Sequence, residues 1–143
     1  MVSEQTFRRW LVSNAPTDWL MQTIETSTGA GIPDVFACKD GNCAWLELKA
    51  TTAPSKCYMR ISQWVWFRLF CQRGGKGILL IKRENDRRID GYKVHELVQS
   101  CGPEQCSISG KDITFPSETK PAFSYKLGTG NEMFYKKLEK LLV

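Results

Sequence analysis

Asp40 and Gly41 set the register of the most informative stretch of this 143-residue chain, GIPDVFACKDGNCAWLELKA, residues 31–50. An Asp-Gly pair between strand-like runs is a strong signal for a two-residue primed turn, because both central positions of that turn take a positive φ. With such a turn, residues whose numbers add to 81 face each other. Cys38 then lies opposite Cys43, Phe36 opposite Trp45 and Asp34 opposite Glu47, with roughly 4.5 to 5.5 Å between paired Cα atoms.

Side chains alternate along a strand, so Glu47 and Lys49 share one face and Ala44, Leu46 and Leu48 the other. Like charges placed directly opposite in a sheet are destabilising, so the two acids need a compensating partner. A divalent cation is the natural one, since Mg2+ accepts one or two carboxylates and keeps several waters. Lys49 would sit near whatever the metal holds, where an ammonium can stabilise charge on a transferring phosphoryl group or orient the attacking water. The plainer alternative has Asp34 in a turn after Pro33 and Glu47 paired with Lys49 on a solvated edge. It explains either half alone, but not the alignment of the two acids. A loop one residue longer would also shift the pairing.

The length suits one domain, and 42% hydrophobic residues can bury a core. A net charge of +5, spread along the chain, leans mildly toward a polyanion partner, although a charged surface alone would account for it. No stretch has the length of a membrane span. MVSEQTFRRWL carries an acid and paired arginines where a secretory signal has an apolar block, so the expected location is cytoplasmic. The six cysteines are Cys38, Cys43, Cys57, Cys71, Cys101 and Cys106. The chain is too long and core-rich to need a disulfide framework, which predicts mostly reduced thiols.

Ser3 can cap a helix over 4–12, and an apolar strand is predicted over 20–26. After the hairpin comes a helix over 61–73, crowded with Trp64, Trp66, Phe67, Leu69 and Phe70 and stopped by Gly74 and Gly75. GILLIKR, 77–83, reads as a fully buried strand because its apolar run is continuous. DRRIDGYKV suggests an edge strand, VHELVQSC a short helix, CSISGKDITF a small hairpin, and 116–130 a loop. An amphipathic helix opens at Asn131. There is no internal repeat.

Gly31-Ile32-Pro33-Asp34 followed by Glu47-Leu48-Lys49 resembles the signature of the PD-(D/E)XK nuclease superfamily. The element order through Arg83 is similar to that superfamily's core, and ISQWVWF resembles the following helix in compact phage and archaeal-type Holliday junction resolvases and VRR-NUC-like nucleases, where a glutamine often stands where Gln63 does. The resemblance implies an α/β (α+β) restriction-endonuclease-like core with a central mixed sheet in the order αβββαβ. The single domain, 1–143, would then comprise a catalytic core over 1–83 and a C-terminal elaboration, hairpin and amphipathic helix included, over 84–143.

The resemblance also implies that Asp34 and Glu47 bind Mg2+, or Mn2+ in its place, with the Leu48 carbonyl as a further ligand, and that Lys49 is the catalytic lysine. An additional acid would come from Glu4, with Glu25 as the alternative, and Gln63 would hold a phosphate or water. The implied activity is phosphodiester hydrolysis of DNA leaving a 5′-phosphate and a 3′-hydroxyl. Arg8, Arg9, Lys56, Arg60, Lys82, Arg83, Arg87 and Arg88 are candidate phosphate contacts.

A core this small has little material for reading base edges, which favours shape-selective action on branched DNA. Symmetric cutting of a four-way junction needs two active sites, which a homodimer supplies. The expected protein is therefore a junction resolvase, in the host cytoplasm if phage-encoded. The rivals are a nicking or restriction-like endonuclease on duplex DNA and a non-catalytic nucleic-acid-binding module on the same fold.

Other constellations carry less. The matched spacing of Cys38–Cys43 and Cys101–Cys106 invites a zinc site, but paired strand cysteines usually just pack. His95 is the sole histidine, and no Gly-x-Ser-x-Gly accompanies it. Gly74-Gly75-Lys76-Gly77 follows a helix and precedes a strand, the reverse of a phosphate-binding loop.

Overall fold

The computed structural model describes residues 3–24, 31–100 and 104–143. Its elements are α1 (Glu4–Ser13), β1 (Leu20–Thr23), β2 (Val35–Lys39), β3 (Asn42–Thr51), β4 (Tyr58–Arg60), α2 (Ile61–Gln72) and β5 (Gly77–Arg83). These are followed by β6 (Arg88–Lys93), α3 (Val94–Ser100), β7 (Ser107–Ser109), β8 (Asp112–Thr114), β9 (Phe123–Lys126) and α4 (Asn131–Leu142).

A six-stranded mixed sheet, ordered β1-β2-β3-β5-β6-β9, forms the central layer. β3 and β5 run parallel, joined through α2, and every other pairing in the sheet is antiparallel. Because β5 is covered on both sides, it has no polar face. Ile78 and Leu80 join Leu46 and Leu48 under α1 and α4, while Leu79 and Ile81 face α2, α3 and a small sheet ordered β4-β8-β7. Each fully buried Leu or Ile contributes roughly 1.5–3 kcal/mol, so this double coverage fixes β3 between two cores.

The hairpin has the expected register, with Cys38 opposite Cys43, Phe36 opposite Trp45 and Val35 opposite Leu46. Asp40 and Gly41 have φ of 51° and 80°, as a primed turn requires. The same register brings the Cα atoms of Cys38 and Cys43 to 4.1 Å, and the two are disulfide-bonded. Cys106 is also disulfide-bonded, whereas Cys57 and Cys71 are free. The expectation of mostly reduced thiols is corrected here: it rested on chain size, whereas the turn geometry places the Cys38–Cys43 pair. The bond also removes Cys38 and Cys43 as thiolate donors for zinc, and Cys101 lies outside the described residues.

Three elements differ from the sequence expectation. β6 is flanked by β5 and β9, so it is an interior strand. β9 lies within the 116–130 stretch read as loop, and β4 is a three-residue strand that pairs with β8. Short strands of this kind lack a periodic signal and are set by their neighbours. The chain beyond 83 is part of the same architecture, since β6 and β9 extend the central sheet and Phe134, Tyr135, Leu138 and Leu142 of α4 pack under it. Among the described residues no helix is long and apolar enough to cross a membrane.

Candidate active site

β2 ends its ladder with β3 at the Val35–Leu46 pair, one step before Asp34 would meet Glu47. The side chain of Asp34 takes over: its Oδ2 accepts the Leu48 backbone N–H at 3.0 Å. Its backbone is held from the other side, because the Asp34 carbonyl accepts the Ile24 N–H at 2.8 Å. The preceding Gly31 has φ +85°, and a Cβ there would collide with the Ser62 carbonyl. Only glycine lets the strand approach pack this tightly on the first turn of α2. That contact also brings Gln63 to the acids.

Among the described residues four charged side chains are buried, and they separate into two groups. Arg83 and Asp90, 1% and 2% exposed, are saturated. Arg83 donates to Asp90 at 3.0 Å, to the Tyr92 hydroxyl at 2.9 Å and to the Ala53 and Lys56 carbonyls. Asp90 also accepts from Arg88 and Ser124. Arg83 is thus withdrawn from the candidate phosphate contacts, since its guanidinium is spent inside the fold, and Arg88 is tied to Asp86, Asp90 and the Pro54 carbonyl.

Glu47 and Lys49, 1% and 4% exposed, are not saturated. Glu47 Oε2 accepts from Gln63 Nε2 at 2.7 Å and lies 3.5 Å from Lys49 Nζ, while Glu47 Oε1 is buried with no partner among the described residues. Burial pushes the Glu47 carboxyl well above its ordinary range; the charge of Asp34 adds to this and Lys49 opposes it. A buried carboxylate with an orphan oxygen costs free energy unless something positive meets it.

Glu4 sits in the first turn of α1, fixed there by the Ser3 hydroxyl accepting the Thr6 N–H at 3.1 Å. Partial burial raises its carboxyl, Lys49 opposes, and Asp34 raises it further, which places Glu4 within the field of the same cluster. Glu25 lies outside the described residues. Gln63 acts on Glu47 rather than standing free, and its Oε1 accepts the Arg60 N–H at 3.0 Å, so its amide is oriented at both ends.

The remaining cations are distributed unevenly. Arg8 lies 3.7 Å from Asp34, exposed Arg60 opens α2, and Lys56 stands 4.5 Å from the centre of the Tyr58 ring, which Lys49 approaches at 5.9 Å. Tyr58 did not emerge from the sequence, because nothing local marks β4 as a neighbour of Lys49. Lys82 pairs with Glu84 at 3.3 Å, and Arg9 and Arg87 are exposed, with no ion pair to Asp34 or Glu47 among the described residues.

Among the described residues no group of three or more His, Cys, Asp or Glu side chains forms a ready metal cage. The donor set nonetheless suits Mg2+: two neighbouring carboxylates, one with an orphan oxygen, leave coordination positions to water and a substrate phosphate.

No protein-family profile matches the chain, and no curated protein matches its sequence. Its fold is similar to that of Hjc, a Holliday junction resolvase from the archaeal hyperthermophile Archaeoglobus fulgidus, with a TM-score of 0.53 and 13% identity over 79% of this chain and 83% of that one. At that identity the similarity defines the fold alone. It extends past residue 83, the limit of the motif-bearing segment.

Proposed function

We propose that this chain is a metal-dependent DNA endonuclease of the PD-(D/E)XK type. The observation that carries the reading is Glu47: buried, unsatisfied at Oε1, and set beside Asp34 and Lys49. A purely structural charge would be saturated, as Arg83 and Asp90 are.

Asp34 and Glu47 would hold Mg2+ or Mn2+, with the Leu48 carbonyl as the protein's further ligand, and Glu4, within the field of Asp34 and Lys49 but outside a three-carboxylate cluster, would act through water held by the ion. When bound, the ion supplies Lewis acidity toward the scissile phosphate and lowers the pKa of its water. Gln63 fixes the orientation of Glu47, and outer partners of this kind tune metal affinity. Lys49 provides a fixed positive charge where phosphoryl oxygens gain negative charge, and its burial strengthens that interaction. Arg8, Lys56 and Arg60 serve as phosphate contacts around the acids.

Within this class we favour a structure-selective enzyme acting on branched DNA as a homodimer. In support, Phe36, Trp45, Trp66 and Phe70 form a continuous series of ring contacts at 5.0–6.0 Å, and Val65 and Leu69 beside them on α2 are 46% and 50% exposed. An apolar strip of this kind is suited to a second copy.

The test is cleavage of an end-labelled four-way junction with Mg2+, alongside linear duplex, single strand and an Asp34→Asn control. Paired symmetric cuts absent from the control are expected. Uniform cleavage of every substrate would keep the nuclease and discard the resolvase, and binding without cleavage in Mg2+ or Mn2+ would leave a binding module.

A further inference from the structure

On the opposite face of the sheet from Glu47, α1, β5, β6 and the segment leading into α4 line a solvent-open cavity of about 300 Å3. Its wall is apolar, with Trp10, Ile89 and Leu127, and its polar edge carries Lys82, Arg87 and Asn131. Trp10 is held by ring contacts to Phe134 at 5.3 Å and Tyr135 at 6.4 Å, so its indole is braced.

Positive potential reaches the cavity from three sources. Arg87 has a positive φ of 50°, set by its turn, and its backbone carbonyl accepts the Leu127 N–H at 2.8 Å. Its guanidinium makes no hydrogen bond or ion pair among the described residues. Lys82 is the second cation, shared with Glu84. The third is the start of α4, where Gly130 occupies the cap position and provides no side chain to the first-turn amides. That end of a helix favours anions.

An apolar wall with an aromatic ring, edged by the unpaired guanidinium of Arg87, matches a nucleotide: a base against Trp10 and a phosphate toward Arg87, with Lys82 beside it divided between that phosphate and Glu84. We infer that this cavity receives one unpaired nucleotide of the bound DNA. The inference rests on the reading of the chain as a DNA-binding enzyme, and it gives that enzyme a means of sensing departure from paired duplex. α1 links the two places, because Glu4 and Arg8 face the acids while Thr6 and Trp10 line the cavity. An unpaired base is the least costly to extrude, which makes such a pocket selective for distorted DNA.

The test is equilibrium binding of the full chain, without divalent metal, to three labelled duplexes of one sequence. One is fully paired, one carries a single unpaired adenine, and one carries an abasic residue at that position. The unpaired adenine should bind about tenfold or more tighter than either of the others. Arg87→Ala should erase most of that preference. So should Thr6→Trp, which fills the cavity from its exposed rim, in a protein whose melting is unchanged.

Equal affinity for all three duplexes overturns the inference. So does an abasic duplex bound as well as the adenine, or a preference that survives Thr6→Trp. Cleavage assays with Mg2+ run in parallel keep the two readings apart. Cleavage without a preference removes the pocket alone, preference without cleavage removes the nuclease alone, and failure to bind any DNA removes both.

Discussion

Gln63 Nε2 donates to Glu47 Oε2 at 2.7 Å while Gln63 Oε1 accepts the Arg60 N–H, so a single amide joins the first turn of α2 to the buried carboxylate of β3. Gln63→Ala should leave the carboxylate with both oxygens poorly held. A loss of roughly 10–100-fold in Mg2+ affinity or activity is expected, with little change in DNA binding. Titrating cleavage against Mg2+ checks this, and an unchanged titration curve would make Gln63 a helix-start residue only.

Asp34→Asn should abolish cleavage and leave DNA affinity intact or improved, because one repelling charge is gone. Lys49→Ala should lose at least ~10³-fold in rate, about 4 kcal/mol of transition-state stabilisation. Single-turnover rates at saturating substrate measure both. A tenfold loss or less for Lys49→Ala would reduce the lysine to a structural partner of Glu47.

The raised Glu47 carboxyl has a consequence for stability. Its folded pKa lies above the ordinary 4.5, chiefly through burial and then through Asp34, so between the two values the folded state binds more protons than the unfolded state. Stability of the metal-free protein should therefore fall as pH rises from about 4.5 toward the folded pKa, and Glu4 contributes with the same sign. Glu47→Gln should melt higher than wild type at neutral pH and show a shallower pH dependence. Mg2+ should raise the wild-type melting temperature increasingly as pH rises, because ion binding requires the ionised acid. Melting curves from pH 5 to 8 decide the matter.

Gly31→Ala should destabilise the fold by roughly 1–3 kcal/mol, since the residue has φ +85° and its Cβ meets the Ser62 carbonyl. Activity should fall further than stability accounts for, because Asp34 follows three residues later. Urea unfolding together with cleavage at a permissive temperature separates the two effects.

Arg83→Ala should cost about 3 kcal/mol or more by leaving Asp90 short of its main partner, and it should not alter the salt dependence of DNA binding. Lys56→Ala and Arg60→Ala should do the reverse, each lowering the salt slope by about one at little cost in stability. Affinity measured across a salt series distinguishes the two kinds of basic residue.

Local rules reach far into this chain because its most informative segment is a tight hairpin. Asp40-Gly41 dictates the turn, the turn dictates the pairing, and the pairing carries Phe36, Trp45, Cys38 and Cys43 to their places while Asp34 is brought toward Glu47. The continuous apolar run of 77–83 likewise shows a strand covered on both faces. The same register set Cys38 opposite Cys43, but the size of the chain argued for reduced thiols, and the bond between them is seen only in the structure.

The sequence by itself determined the hairpin register, the double burial of β5, the capped helix bearing Glu4 and the common face of Glu47 and Lys49. These depend on interactions a few residues apart, or on a periodicity that a single strand already displays. Only the tertiary structure decided that Gln63 orients Glu47, that Tyr58 lies by Lys49, that Arg83 is consumed by Asp90 and the 53–56 carbonyls, and that β9 completes the sheet. The physical reason is burial: whether a charged side chain is spent inside the fold or left for a ligand depends on partners distant in sequence, and no local pattern encodes that balance.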